Sequence, residues 1–203
     1  MSIAGAASAA DVRVMISAGF YNAYSELTQA FERASGHRLL TTRGPSMGDS
    51  PEAIPARLAR GEAADVVILD GGAADELGRR GLVRADSKVE LARSLIGMVV
   101  RAGVAKPDIG SVEAFRSALL AAKSIAYSDS GSGTYLSTSL FAKLGVAFVG
   151  TIPAELQPGF SFAGTIASTA RQPEAAAALI RFLASPEAAP SILKAGLTPV
   201  TGR

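Results

Sequence analysis

Ala64-Asp65-Val66-Val67-Ile68-Leu69-Asp70-Gly71-Gly72 is a short, continuous apolar run closed by an acid and two glycines. Its length and β-branched content read as a strand buried on both faces, the kind found at the centre of a parallel sheet. On its N-terminal side, Pro51 to Arg60 reads as a short helix with Ile54 and Leu58 on one face, Ser50 as N-cap and Pro51 at the first helical position. On its C-terminal side, Ala74 to Arg80 reads as a second helix, closed by Gly81. Further out, Val12-Arg13-Val14-Met15-Ile16-Ser17 is a β-type run stopped by Ala18-Gly19-Phe20. The next helix runs from about Tyr21 to Ala34, with Tyr24, Leu27 and Phe31 at three- and four-residue steps, and Gly36 ends it. Arg38 to Thr42 is the strand between. The order β-α-β-α-β-α is that of an α/β, doubly wound sheet with parallel strands. Ligands of such sheets bind beyond the C-terminal strand ends.

The second half is more broken. Leu95 to Arg101 is expected as a strand, Val112 to Ala122 as a helix with Phe115 and Leu119 inward, and Ser124 to Tyr127 as a strand. Thr134 to Leu144 is expected as a helix, Phe148 to Pro153 and Phe160 to Ile166 as strands. Pro173 to Ala184 and Pro186 to Ala195 are expected as two closing helices, the second stopped by Gly196. No internal repeat stands out.

Two turns rich in Ser, Gly and Thr follow strand-like segments and precede helix-like ones: Arg43-Gly44-Pro45-Ser46-Met47-Gly48-Asp49-Ser50 and Ser128-Asp129-Ser130-Gly131-Ser132-Gly133-Thr134-Tyr135. Such a turn presents free backbone N–H groups at the positive end of a helix, a seat for an anion. Two of them point to a ligand gripped from both sides. The candidate ligand-binding residues are Ser17, Gly19, Arg43, Gly44, Ser46, Met47, Ser130, Gly131, Ser132, Gly133, Thr134 and Tyr135. Each has a plainer reading. Arg43 also fits a solvated strand end, the hydroxyls of Ser130, Ser132 and Thr134 fit N-caps, and Tyr21 and Tyr135 fit helix packing. Asp70 reads as the cap of the helix after it, and Asp129, an acceptor only, as a brace of its own loop. Arg101 ends a strand, or else sits at a hinge.

Composition excludes several classes. The 203 residues are 48% hydrophobic and 19% charged, an ordinary globular balance. A net charge of +2 without basic blocks gives no case for nucleic acid. The absence of cysteine removes disulfides, thiol nucleophiles and thiolate metal sites. The single histidine, His37, reads as a solvated residue in the Ser35–Arg38 turn, so neither a His-based triad nor a multi-histidine zinc site is expected. Neither the G-x-x-x-x-G-K-[ST] nor the G-x-G-x-x-G pattern is present, which disfavours NTPase and dinucleotide folds. No cofactor, metal or membrane insertion is expected. Met1 to Ala10, with Ala7-Ser8-Ala9 as an A-x-A type cleavage pattern, reads as a leader or signal-peptide remnant and points to the periplasm.

Several stretches together resemble the molybdate-binding-protein-like branch of the type 2 periplasmic solute-binding proteins of ABC transporters. They are Ile16-Ser17-Ala18-Gly19, Gly44-Pro45-Ser46, Leu58 to Ile68, Tyr127 to Thr134, and the tail Pro173 to Ala188 with its late Leu-Ala-Ser-Pro-Glu-Ala. The resemblance implies two α/β lobes joined by crossover strands, closing on a small anion, with a membrane permease as partner. It assigns 11–97 to lobe 1, 98–150 to a reduced lobe 2, and 151–203 to a return to lobe 1. It makes Ser17 and Ser46 first-lobe hydroxyls and Ser130 to Thr134 the second-lobe helix start that faces the ligand.

The chain departs from that pattern in three places. The first strand end is Gly19-Phe20-Tyr21 where the family is rich in Ala and Ser. Arg43 places a fixed cation where the family uses neutral donors, which suits a carboxylate through a bidentate fork and shifts the expected ligand from molybdate towards an organic di- or tricarboxylate. The chain also passes from Val146-Ala147 directly to Phe148-Val149-Gly150, where the family has several tens of residues more, so a segment of the second lobe is expected to be absent. Two function classes follow: a receptor for a small anion, and an isomerase of a tricarboxylate such as aconitate on the same fold. The isomerase needs a general base, for which Asp70, Asp129 or a tyrosine is the candidate.

Overall fold

Strand β1 (Asp11–Ile16) lies between two parallel neighbours, β2 (Arg38–Arg43) and β3 (Val66–Asp70), with Ile16 opposite Arg43 on one side and Ile68 on the other. These are parts of a six-stranded sheet in the order β2-β1-β3-β5-β4-β6, seen in a computed structural model that describes residues 9–123, 136, 140–144 and 160–200. Strand β5 (Phe160–Ile166) runs antiparallel to β3, placing Phe162 opposite Asp70. Strand β4 is Val89–Ser94, and β6 (Thr198–Pro199) pairs antiparallel with it. The fold is the expected α/β class, with a parallel block and an antiparallel return strand.

The two-faced burial of β3 follows from the period of two along a strand. Val66 and Ile68 join one apolar cluster with Val12, Val14 and Ile16, covered by α1 (Ala18–Ser35), α6 (Pro173–Leu183) and α7 (Ala189–Lys194). Val67 and Leu69 join another with Met15, covered by α2 (Ile54–Ala59) and α3 (Gly71–Arg79). Helix α1 presents Phe20, Ala23, Tyr24, Leu27 and Phe31 at helical spacing and ends at Gly36, whose φ of 74° is the left-handed conformation that closes a helix. Burying this many large side chains on both sides of one sheet is the main stabilising term for such a unit.

The chain divides into two compact units, residues 1–93 with 161–203 and residues 94–160. Within the second, α4 (Val112–Leu120) is capped by Ser111, whose Oγ accepts from the Ala114 N–H at 3.1 Å. Phe115 and Leu119 pack with Leu136 and Leu140, against Ile96, Met98, Ile109 and Leu144. The next helix, α5, is Phe141–Leu144.

Four expectations are corrected. Leu95 to Arg101 is irregular chain with Leu95 and Val99 exposed, and the strand lies earlier, at Val89–Ser94, because Leu91 and Ala92 are the residues that bury fully in the sheet. The second helix begins at Ile54 with Ala53 as N-cap, not at Pro51 after Ser50; Ala53 and Ile54 donate their N–H groups to the carbonyls of Ser50 and Pro45, which holds Pro51 and Glu52 in a turn. Helix α1 starts three residues before Tyr21, so Gly19 lies inside its first turn. His37 is buried rather than solvated: its Nδ1 accepts from the Ala10 N–H at 3.2 Å and its ring lies 6.2 Å from that of Phe31. The expected strands Ser124–Tyr127 and Phe148–Pro153 lie outside the described residues.

Candidate functional site

The parallel strands β1, β2 and β3 bring their C-terminal ends to one edge of the sheet, and the antiparallel β5 begins at that same edge. Ser17, directly after β1, is the N-cap residue of α1, and its N–H donates to the Ile68 carbonyl at 2.9 Å. Its side chain does not cap. The Oγ is buried, with the residue only 4% exposed, and has no hydrogen-bond partner among the described residues. A buried hydroxyl without a partner costs about 1–3 kcal/mol. The N–H groups of Ala18 and Gly19 find no acceptor there either, and the first turn of this 18-residue helix carries no acid. The positive end of α1 is therefore left open.

Arg43 ends β2 on the exposed side, with its guanidinium 4.1 Å from the ring centroid of Tyr21 in the first turn of α1. It forms no ion pair among the described residues. Stacking on an aromatic face fixes the plane of the fork and leaves its N–H edge free for a ligand. The α1–β2 junction is stiffened one turn on, where the Tyr24 hydroxyl and Thr41 Oγ1 are 2.6 Å apart. Burial pushes the Tyr24 phenol up to about 12, so it stays neutral. Gly44 donates its N–H to the Ile16 carbonyl at 3.1 Å, and a Cβ at this position would overlap the Glu52 carbonyl oxygen, so only glycine fits.

The remaining predicted residues divide by role. Ser46 Oγ accepts from the Asp70 N–H at 3.2 Å and so braces the end of β3. Asp70 caps α3 as expected, its Oδ1 accepting from the Gly72 and Ala73 N–H groups at 3.0 Å each. Met47 lies on the exposed loop, half accessible. The sheet edge thus gathers Ser17, Gly19, Arg43, Gly44 and Ser46. Ser130, Gly131, Ser132, Gly133, Thr134 and Tyr135, with Asp129, lie outside the described residues.

Two residues that the sequence did not single out matter here. Phe162, at the start of β5, places its ring where a Cβ on Gly19 would be and packs on Phe20 with ring centroids 6.4 Å apart. The signal was Gly19 itself, since an interior helix glycine marks a close approach. At the opposite edge, buried Asp65 gathers three backbone donors: Arg13 N–H at 2.8 Å, Arg171 N–H at 2.7 Å and Gln172 N–H at 2.9 Å. It ties β1 and the start of α6 to β3, a structural task.

Among the described residues no group of three or more His, Asp or Glu could hold a metal, and no helix is long and apolar enough to cross a membrane. A hollow of about 560 Å³ lies on the sheet beside β2, between Arg13, Leu40, Thr42 and Glu62. None of Ser17, Arg43 or Ser46 lines it.

The sequence model of the family described as bacterial extracellular solute-binding protein matches residues 12–147 and 134–198. The two stretches overlap over residues 134–147. A relative from a Pseudomonas species, aconitate isomerase, is 39% identical over 228 residues, covering 92% of this chain and 87% of that protein. Among solved structures, the substrate-binding domain of a molybdenum ABC transporter from Clostridium difficile superposes with a TM-score of 0.70 at 12% identity, over 94% of this chain and 99% of that one. The periplasmic molybdate-binding protein of Azotobacter vinelandii superposes with a TM-score of 0.62 at 14% identity, over 92% and 98%. At such identities the structures establish the fold, and they do not carry the ligand.

Proposed function

Because the chain belongs to the bacterial extracellular solute-binding protein family and has the molybdate-binding-protein-like type 2 fold, we propose that it captures a small organic polycarboxylate. Its seat is the open end of α1. Arg43 takes one carboxylate through a bidentate fork, while Ser17 Oγ and the first N–H groups of α1 take another. The observation that carries this reading is a pair of groups at one sheet edge that find no partner among the described residues: a cation without an acid, stacked on Tyr21, and a buried hydroxyl. The protein works in the periplasm and hands its anion to the permease of an ABC transporter.

A second reading, isomerisation of a tricarboxylate such as aconitate, is favoured by the 39% identical relative. It needs a base that removes a proton from carbon and returns it elsewhere. Asp70 is a poor candidate, because one of its oxygens already holds two N–H groups of α3. Tyr24 is a poor one too, being hydrogen-bonded and held neutral. Any base on this edge of the sheet is then another residue.

A thermal-shift screen against trans-aconitate, citrate, molybdate and sulfate tests both readings, followed by NMR of trans-aconitate with the protein in deuterated water. A polycarboxylate at 100 times its Kd is expected to add about 2.7 kcal/mol of stability. Arg43→Ala should remove that response. Stabilisation by molybdate or sulfate alone would overturn the carboxylate reading. Deuterium entering the carbon skeleton would identify the isomerase, and tight binding without exchange the receptor.

A further inference from the structure

The ring of Phe162 rests on the backbone of Gly19, in the first turn of α1, the helix whose open end is the proposed seat. Three observations hold it there. The β3–β5 register puts Phe162 beside Asp70 at the ligand edge, its ring packs on fully buried Phe20, and Gly19 leaves the space that any side chain would take. Phe162 itself is only partly buried, so part of this aromatic side chain remains accessible. Tyr21, two residues after Gly19, carries Arg43. The open helix end is thus bordered by two aromatic rings as well as by its donors.

An apolar border discriminates between anions. A tetrahedral oxyanion carries oxygen in every direction, so an oxygen turned to a ring gives up water and gains no donor. A carboxylate on a carbon skeleton turns its oxygens to the N–H groups and to Arg43, and its carbon to the ring. A flat, conjugated skeleton also gains contact with an aromatic face.

We propose that Phe162, seated on Gly19, is a specificity-determining residue that selects anions carried on a carbon skeleton over inorganic oxyanions. This rests on the polycarboxylate reading and adds to it the residue pair that enforces the choice. Gly19 acts through the ring: a side chain there displaces Phe162 and loosens the selection.

Titration calorimetry with trans-aconitate and with molybdate, on the wild type, Phe162→Ala and Gly19→Ala, tests the proposal. Phe162→Ala is expected to lower the preference for trans-aconitate over molybdate at least tenfold, chiefly by weakening trans-aconitate. Gly19→Ala is expected to move the preference in the same direction. Equal effects on both probes, or none, would overturn the proposal. If Phe162→Ala fails to fold, Phe162→Leu, which keeps apolar volume on Phe20 but has no flat face, is read instead: a threefold or greater loss of preference supports the proposal and an unchanged preference overturns it. A wild type that binds molybdate but no carboxylate refutes the polycarboxylate reading, and this proposal with it. A wild type that binds trans-aconitate with a preference blind to position 162 refutes only the role of Phe162.

Discussion

Strands β1 and β3 lie side by side, end at the same edge of the sheet and turn directly into helices, but the two turns use their polar residue in opposite ways. After β3, Asp70 folds its carboxylate back onto the Gly72 and Ala73 N–H groups, and the start of α3 is satisfied by its own chain. After β1, Ser17 occupies the same N-cap place without capping, and its buried hydroxyl has no hydrogen-bond partner among the described residues. A helix start closed by an acid repels an anion. One left open, with no acid in its first turn and Arg43 beside it, attracts one. The contrast teaches that a functional helix end is recognised less by its hydroxyl than by what that hydroxyl leaves undone.

Making the first end like the second gives the largest expected effect. Ser17→Asp should place a capping carboxylate on α1 and weaken trans-aconitate binding more than a hundredfold, read by calorimetry, while the protein stays folded. Retained affinity would mean that the anion sits elsewhere.

The next effect concerns the anchoring of the open end. Tyr24 has its pKa raised to about 12 by burial, against an ordinary value of 10.0, so the fold favours the neutral phenol. The stability this contributes is fully present below pH 10 and is lost as pH rises through 12. Two units correspond to about 2–3 kcal/mol at most. Urea midpoints measured from pH 9 to 12 should therefore fall more steeply in the wild type than in Tyr24→Phe; parallel curves would show that Tyr24 is not the titrating group.

The smallest effect belongs to the closed end. Asp70→Ala should cost about 1–2 kcal/mol of stability, the usual cost of a lost N-cap, and leave anion affinity within about twofold. A large loss of affinity would make Asp70 part of the ligand site and erase the contrast.

Much of the scaffold could be read from local pattern. Val66 to Leu69 is apolar at every position because both faces of β3 are covered, and the strand expected over Phe160–Ile166 has those same bounds in the structure. Strand β4 is not legible from pattern because Val89-Glu90-Leu91-Ala92-Arg93 has only two fully buried residues, and Glu90 and Arg93 interrupt its apolar run. Ser17, Arg43 and Ser46 were found from residue type and place. Their states were not: that Ser46 is occupied by Asp70, and that Ser17 has no partner among the described residues, depends on neighbours distant in sequence. Asp65 shows the same limit. A carboxylate before a strand looks like a boundary, while its donors lie 52 to 107 residues away.

The most direct test of the open-end account is a calorimetric titration of Ser17→Ala with trans-aconitate, set beside its urea unfolding. Removing a hydroxyl that has no partner among the described residues should leave stability unchanged or slightly raised, and should weaken the ligand about tenfold, the equivalent of one lost hydrogen bond to a charged group. A loss of stability with affinity intact would contradict the account, for Ser17 would then be a cap like Asp70.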